Sequence, residues 1–359
     1  MRSLEKRLAR NPELQQNVQE QMKEYLQKGY CHRATQQEIQ STEQQKVWHL
    51  PLNIVLNPKK PGKVRLVWDA AATVQGVSLN STLLKGPDLL VSLPSVISQF
   101  RERRIGFGGD IREMFHQVRI RPEDRQAQRF LFAGEVYVMD CAILGATCSP
   151  SQALYVMHKN ARDFANDYPE AADAIVKKHY VDDYFDSVDT VEEAVKRAKE
   201  VREIHSRGGF HIRNWVSKAE EVPRRLGEPQ SNQQIHFHRD KETDYERVLG
   251  IVWNTKEDVF TFSTQFKEEL QPFLVGGHRP TKRIVLSCVM SFFDPLGLLA
   301  IFTIHGRIIV QDLWRSGCNW DEQIDEEAMD KWTRWTARIK NVEAVRIPRY
   351  YFSNGGDSN

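Results

Sequence analysis

An antiparallel sheet backed by helices on one face, an α+β layer architecture, is the fold predicted for the centre of this 359-residue chain. Three observations predict it. From residue 105 to 216 the elements run strand, strands, helix, strand hairpin, helix, strand, a mixed order that suits such a layer. Two helix starts punctuate that order, Ser149-Pro150 and the capping box Thr190-Val191-Glu192-Glu193. Between them, His179 to Ser187 reads as a short hairpin carrying two neighbouring acids, Asp182 and Asp183. A sheet covered on one face leaves the other free for a substrate.

Taken in order, Asn11-Pro12-Glu13 predicts a helix with Asn11 as N-cap and Pro12 at the first position, stopping near Gly29. Leu14, Val18, Tyr25 and Leu26 share its apolar face. Residues 50–56 and 64–68 are β-prone runs joined by Asn57 to Lys63, a hairpin with a basic tip. Leu93, Val96, Ile97 and Phe100 recur at helical spacing within Ser92 to Arg103, and Ile105 to Ile111 follows as a strand ending in Asp110 and Ile111. Residues 128–132 and 135–144 predict two more strands, leading to a helix capped by Ser149 and running to about Phe164. After the hairpin, Ala194, Val195, Ala198, Val201 and Ile204 form one stripe, Gly208-Gly209 ends that helix, and His211 to Val216 is a strand. A polar stretch from Glu220 to Asp244 precedes a strand at Val248 to Trp253. The carboxyl region reads as largely helical, with Trp314, Trp320, Trp332 and Trp335.

Composition narrows the function classes. A net charge of only +2 excludes a global field for polyanions, so any nucleic-acid contact must come from local basic patches. The five cysteines are scattered and never in CxxC spacing, which predicts reduced thiols in an intracellular compartment and no zinc framework. His236 and His238, without a second pair, read as loop residues. Met1 to Arg10 lacks the apolar core of a signal peptide. Ile284 to Val310, broken by Asp294-Pro295 and by Gly297, His305, Gly306 and Arg307, reads as core and not as a membrane span.

Neighbouring carboxylates do not stabilise a buried hairpin, because each is desolvated beside the other unless a cation sits between them. A divalent metal meets that requirement, and the glycine-rich run Ile105 to Asp110 offers a third acid. Three convergent carboxylates suit two hard magnesium ions of the kind that clamp the attacking and leaving oxygens of a phosphoryl transfer. The alternative is a surface turn with solvated acids. Asp140 and Asp186 read as ordinary surface acids.

The ordered set Lys63-Val64-Arg65-Leu66-Val67-Trp68-Asp69, Asp110 to Phe115, Leu144-Gly145 with Ser149-Pro150, Tyr180 to Asp183, Gly208-Gly209-Phe210 and Leu249-Gly250 resembles the successive blocks of a reverse transcriptase. Gly76-Val77-Ser78-Leu79-Asn80, Leu84 to Leu89 and Phe293 to Leu299 are similar to the BEL/Pao class of LTR retrotransposon polyproteins. The resemblance runs from about residue 47 to at least 325. It implies a right-hand polymerase: a helical arm at 1–46, a fingers hairpin and linker helix at 47–104, a palm with part of the fingers at 105–254, and a helical thumb or connection-like region at 255–359, ending before an RNase H region. It implies an RNA-directed DNA polymerase in which Asp110, Asp182 and Asp183 hold two magnesium ions, with manganese as a substitute. Arg65, with Lys59 or Lys60, is implied for nucleotide phosphates, Phe115 as the aromatic that excludes a ribose 2′-hydroxyl, and Gly145 for close approach to the nascent base pair. Ser149 and Pro150 are implied beneath the template, and Leu249-Gly250 at the primer. The implied partners are an RNA template, a DNA or RNA primer, dNTPs and the RNase H and integrase of a longer polyprotein, with no membrane.

Two departures stand out. Leu144 occupies the place where many retroviral-type enzymes have glutamine, and Asn214 lies between Arg213 and Trp215 in a block where lysine is common, leaving the proton donor to pyrophosphate unassigned. The rival reading is a non-catalytic relic that keeps a nucleic-acid groove. Lack of an export signal implies a cytoplasmic protein, and the resemblance adds virus-like particles and nuclear delivery.

Overall fold

The computed structural model describes residues 2–41, 47–56, 63–228, 234–236, 251–262, 264, 266–275 and 277–352. Its central sheet has the order Ile212–Ser217, Ile105–Ile111, Asp183–Val188, His179–Tyr180, antiparallel throughout. Alternation along these strands divides the residues between two faces. Phe107, Tyr184 and Trp215 belong to one buried core with the helices Ser149–Asp163, Pro169–Lys177 and Val191–Arg207. Phe185, from the opposite alternation, belongs to another, with helix Leu93–Phe100 and the strands Ile251–Asn254 and Val259–Phe262. The glycines of the 105–111 strand make this packing fit. A Cβ on Gly108 would stand 2.5 Å from the Tyr184 carbonyl oxygen, and one on Gly106 would stand 2.7 Å from the Arg349 guanidinium.

A second unit sits on the amino-terminal side. Its sheet runs Cys31–Arg33, Glu135–Met139, Arg129–Phe132, His49–Leu50, the last pair parallel, and the hairpin Leu52–Leu56 with Val64–Trp68 packs beside it. Helix Pro12–Gln27 is capped as the sequence predicts, Leu14 N donating to Asn11 Oδ1 at 3.0 Å. Its buried stripe is Leu14, Val18, Met22 and Tyr25, while Leu26, expected inside, is 39% exposed. These residues share a core with Trp68, Phe130 and Met139, so residues 2–33 do not stand apart as an arm.

Two local expectations are corrected. The strand expected to reach residue 144 stops at Met139: one further in-register bond joins Asp140 N to the Tyr30 carbonyl (2.8 Å), after which Ala142 N turns to the Val118 carbonyl (2.8 Å) and Cys141 bridges to Arg119. Ser149 is the first residue of its helix and not the cap, a position held by Cys148. Its buried hydroxyl donates to the Ile143 carbonyl at 2.7 Å, which anchors the loop carrying Leu144 and Gly145.

The carboxyl region is built on helices Lys282–Met290, Ala300–Arg315 and Glu326–Thr336, with Trp332 and Trp335 inside and Trp314 and Trp320 outside. The strand Ile347–Pro348 returns to pair with Val259–Phe262 and delivers Arg349, fully buried, to Asp258. That guanidinium also donates to the carbonyls of Phe100 (2.6 Å), Arg103 (2.9 Å) and Arg104 (2.7 Å), the segment leading into the central strand. Among the described residues no helix is long and apolar enough to cross a membrane, and all five cysteines are unpaired thiols.

Candidate active site on the central sheet

Asp110 and Asp183 are direct partners across the two middle strands, and Asp182 lies in the adjoining turn, its carbonyl accepting from Ile111 N at 2.8 Å. The sheet therefore brings Asp110 to the strand end that carries the neighbouring acids Asp182 and Asp183. Side chains directly opposite in an antiparallel pair share a face, so Asp110 and Asp183 lie together with Gly108 and Phe185. All three acids are partly exposed.

The hairpin loop between Tyr180 and Asp183 is two residues long, and Val181 has φ 56°. A β-branched residue in the left-handed region is strained, since glycine ordinarily fills the first position of a tight hairpin loop with positive φ. Strain held at a loop beside functional groups is a known signature of sites whose geometry is overdetermined by their surroundings. Beneath the hairpin lies His179, wholly buried, its Nε2 3.1 Å from Nε2 of His205. Burial drives both imidazoles toward the neutral form, His205 down to about 3.

Asp110 has neighbours that the sequence left unassigned. The strand Ile212–Ser217 carries a register shift between Arg213 and Val216, with Asn214 at φ 53°. That bulge brings Asn214 Nδ2 to donate to Asp110 Oδ1, while Arg213 Nε lies 3.7 Å from Oδ2. A signal for it existed: asparagine tolerates left-handed backbone better than most residues, and it follows a strand start by two positions.

Asp186 and Asp140 correct the expectation of surface acids. Asp186 is fully buried, ion-paired with Lys178 and Arg197 (3.4 Å) and accepting from Tyr184 Oη at 2.8 Å. Asp140 is held by Arg125 (2.9 Å) and His32 (2.8 Å). Both carboxylates are held by basic side chains inside the fold.

The remaining sequence-predicted residues fall into three groups. Gly145 has φ +109°, and a Cβ there would stand 2.3 Å from the Trp68 carbonyl oxygen, so only glycine fits. Asn80 holds the same loop, donating to the Gly145 carbonyl (3.0 Å) and accepting from Thr147 N (2.8 Å). Phe115 is part-buried, on the 3-10 segment Met114–Gln117 that directly follows the Asp110 strand, and Arg65 is part-exposed on Val64–Trp68. Ser149 and Pro150 open their helix, with the Ser149 hydroxyl engaged internally. Lys59, Lys60, Leu249 and Gly250 lie outside the described residues, as does His238.

The donor set can be tested against a divalent cation. Asp110, Asp182 and Asp183 offer hard oxygen ligands on adjoining backbone, the chemistry magnesium prefers. Among the described residues, however, no three His, Cys, Asp or Glu side chains are gathered closely enough to hold a metal, and Asp110 is engaged by Asn214 and Arg213. The three residues fit such a cation in type and in backbone register, but their side chains do not form a metal-holding cluster.

Comparison with known proteins bears on the fold and on one segment. A family model described as a Pao retrotransposon-like RNaseH-like domain matches residues 281–359. A foamy viral protease-reverse transcriptase in complex with double-stranded DNA superposes with a TM-score of 0.58 at 14% identity, over 92% of this chain and 49% of that chain. The foamy viral protein in complex with an RNA/DNA hybrid gives 0.56 at 15% identity, over 91% of this chain and 37% of that one. A further foamy viral complex with double-stranded DNA gives 0.56 at 15%, over 91% and 57%. At such identities the likeness establishes the fold alone, and this chain spans 37–57% of the length of those chains. No curated protein matches the sequence. Residues 281–359 thus match a family model described as Pao retrotransposon-like, and the chain shares its fold with the foamy viral proteins.

Proposed function

We propose that this chain is an RNA-directed DNA polymerase of a retrotransposon. The observation that carries the reading is the pairing of Asp110 with Asp183, beside Asp182, at the partly exposed end of an antiparallel sheet. Support comes from the fold shared with a foamy viral protein named as a protease-reverse transcriptase. In this reading 105–254 is the palm, 47–104 the fingers, and Asp110, Asp182 and Asp183 hold magnesium. The chemistry supplied by magnesium at such a site is activation of a primer 3′-hydroxyl and neutralisation of charge on the leaving pyrophosphate.

The chain's own residues do the positioning. Asn214 orients Asp110 through its Oδ1. Arg65 presents a planar guanidinium suited to bidentate contact with nucleotide phosphates, alongside Lys59 or Lys60. Gly145 lets backbone approach the new base pair, and Phe115 lies under the sugar, where a rigid ring leaves no room for a 2′-hydroxyl. Ser149 and Pro150 support the template side through the loop they anchor, and Leu249-Gly250 meets the primer. The partners are RNA template, primer and dNTPs.

The match of residues 281–359 to an RNaseH-like model favours a second reading, hydrolysis of RNA in a hybrid. One experiment separates them: a labelled DNA primer on a labelled RNA template, with dNTPs and magnesium. Primer lengthening supports the polymerase; RNA cleavage without lengthening favours the hydrolase; binding with neither outcome favours a non-catalytic relic.

A further inference from the structure

Phe115 is held from a distance, and the holder is the turn that closes the amino-terminal helix Pro12–Gln27. Glu113 lies between Asp110 and Phe115 with φ 49° and ψ 43°, a left-handed backbone that a long side chain adopts at a cost. Its carboxylate receives Lys28 Nζ on both oxygens at 2.9 Å and the Tyr30 hydroxyl at 2.8 Å. Burial pushes the Glu113 carboxyl up, but Lys28 and Tyr30 outweigh it and hold the group ionised. Gln117 closes the far end of the same segment, donating to Tyr30 Oη (3.0 Å) and to the Glu113 carbonyl (3.3 Å). Between them, His116 is buried, with ring centroids of Tyr25 and Tyr30 each 5.1 Å away and Trp68 6.2 Å away. Phe115 is therefore flanked on both sides by residues tied to Lys28 and Tyr30, which lie 85 residues from Glu113 by the lysine contact.

We infer that Lys28, Tyr30 and Glu113 form a clamp that sets the position of Phe115, making them positioning residues for sugar selectivity. The inference rests on the reading of Phe115 as the aromatic that excludes the 2′-hydroxyl. A contact that only stapled residues 28–30 to the fold would not need the acid itself, two residues before the ring, to hold a left-handed backbone. Releasing Glu113 frees its backbone to relax, and the ring two residues on moves with it. Discrimination against a ribose depends on a close steric fit, whereas dNTP incorporation tolerates a displaced ring.

The test uses Lys28→Met, Tyr30→Phe and Lys28→Arg in the full chain, with dCTP and CTP incorporation measured on one primer-template. Lys28→Met is expected to lower the dCTP/CTP ratio of kcat/KM roughly tenfold, mainly through a lower KM for CTP, with kcat for dCTP retained. Lys28→Arg should restore the ratio. A lowered melting temperature with an unchanged ratio would overturn the inference and leave a structural staple. Amide exchange supplies a readout that needs no polymerase: the amides of His116 and Val118, which donate to Glu113 and Phe115 carbonyls, should exchange faster in Lys28→Met while the 105–111 strand stays protected. Unchanged exchange there overturns the clamp. If the parent chain extends no primer, the polymerase reading and the sugar role fall together, and exchange alone decides whether the clamp exists.

Discussion

Acidification from pH 7 to pH 5 should destabilise this protein through histidines that the fold keeps neutral. His116 is shut among Tyr25, Tyr30 and Trp68, and burial lowers its pKa to about 4; among the described residues its Nε2 has no hydrogen-bond partner. His205 is lowered to about 3, again by burial, and its partner His179 is lowered by burial and by His205. A folded-state pKa below the unfolded value of about 6.5 gives stability that is present above that value and lost as the pH falls through it. At pH 5 the unfolded chain has taken up nearly a full proton at each site, the folded chain almost none. The loss is about 1.4 kcal/mol per pH unit below 6.5, hence about 2 kcal/mol per histidine and about 4 kcal/mol for His116 and His205 together. His179 adds in the same direction. His32 opposes this: burial pulls its pKa down, but Asp140 (2.8 Å) and Glu38 (3.0 Å) outweigh that and raise it, so its contribution is present at low pH and fades as the pH rises. Glu38, depressed to about 2, stays ionised across the window. Urea unfolding followed by tryptophan fluorescence at pH 7, 6 and 5 measures the slope, and His116→Phe should reduce it by one histidine's share. Equal stability at pH 7 and 5, or a slope unchanged in His116→Phe, would refute the reasoning.

Two further outcomes follow from packing. Gly145→Ala places a Cβ 2.3 Å from the Trp68 carbonyl at φ +109°, so it should cost about 3 kcal/mol in urea unfolding, the sum of backbone strain and overpacking. Arg349→Met should cost about 3–5 kcal/mol, because it leaves the buried Asp258 carboxylate with the Trp253 indole N–H at 3.0 Å and Lys218 at 3.4 Å but without its buried guanidinium, and strips donors from three carbonyls; a loss under 1 kcal/mol by the same assay would contradict that.

Much of the central sheet was readable because local signals agreed with the global fold. The Ile105–Ile111 strand has the predicted bounds, and the Thr190 capping box forms with Glu193, opening a helix with the predicted buried stripe. What was not legible depended mainly on partners supplied by other elements. Asp186 looks like any hairpin acid until Lys178 and Arg197 are brought to it, and Asp140 until His32 arrives from another strand. The Pro169–Lys177 helix went unread in the polar stretch after residue 164, although Pro169 opens it. Nothing in the alternation of 135–144 announces that the chain changes partner to Val118 and Arg119 just after Met139. At the site, the three aspartates and Gly145 were visible as residue types in ordered blocks. The contacts of Asn214 with Asp110 and of Glu113 with Lys28 were not, since each is made from a left-handed backbone that only the assembled fold explains.

The measurement that bears most directly on the polymerase reading is primer extension on an RNA template by the purified chain, beside Asp110→Asn and Asp182→Asn, with primer-template binding measured in parallel. The account predicts extension by the parent, a loss on the order of a thousandfold in both variants, and binding retained in each. Extension by Asp182→Asn at the parent rate would contradict it.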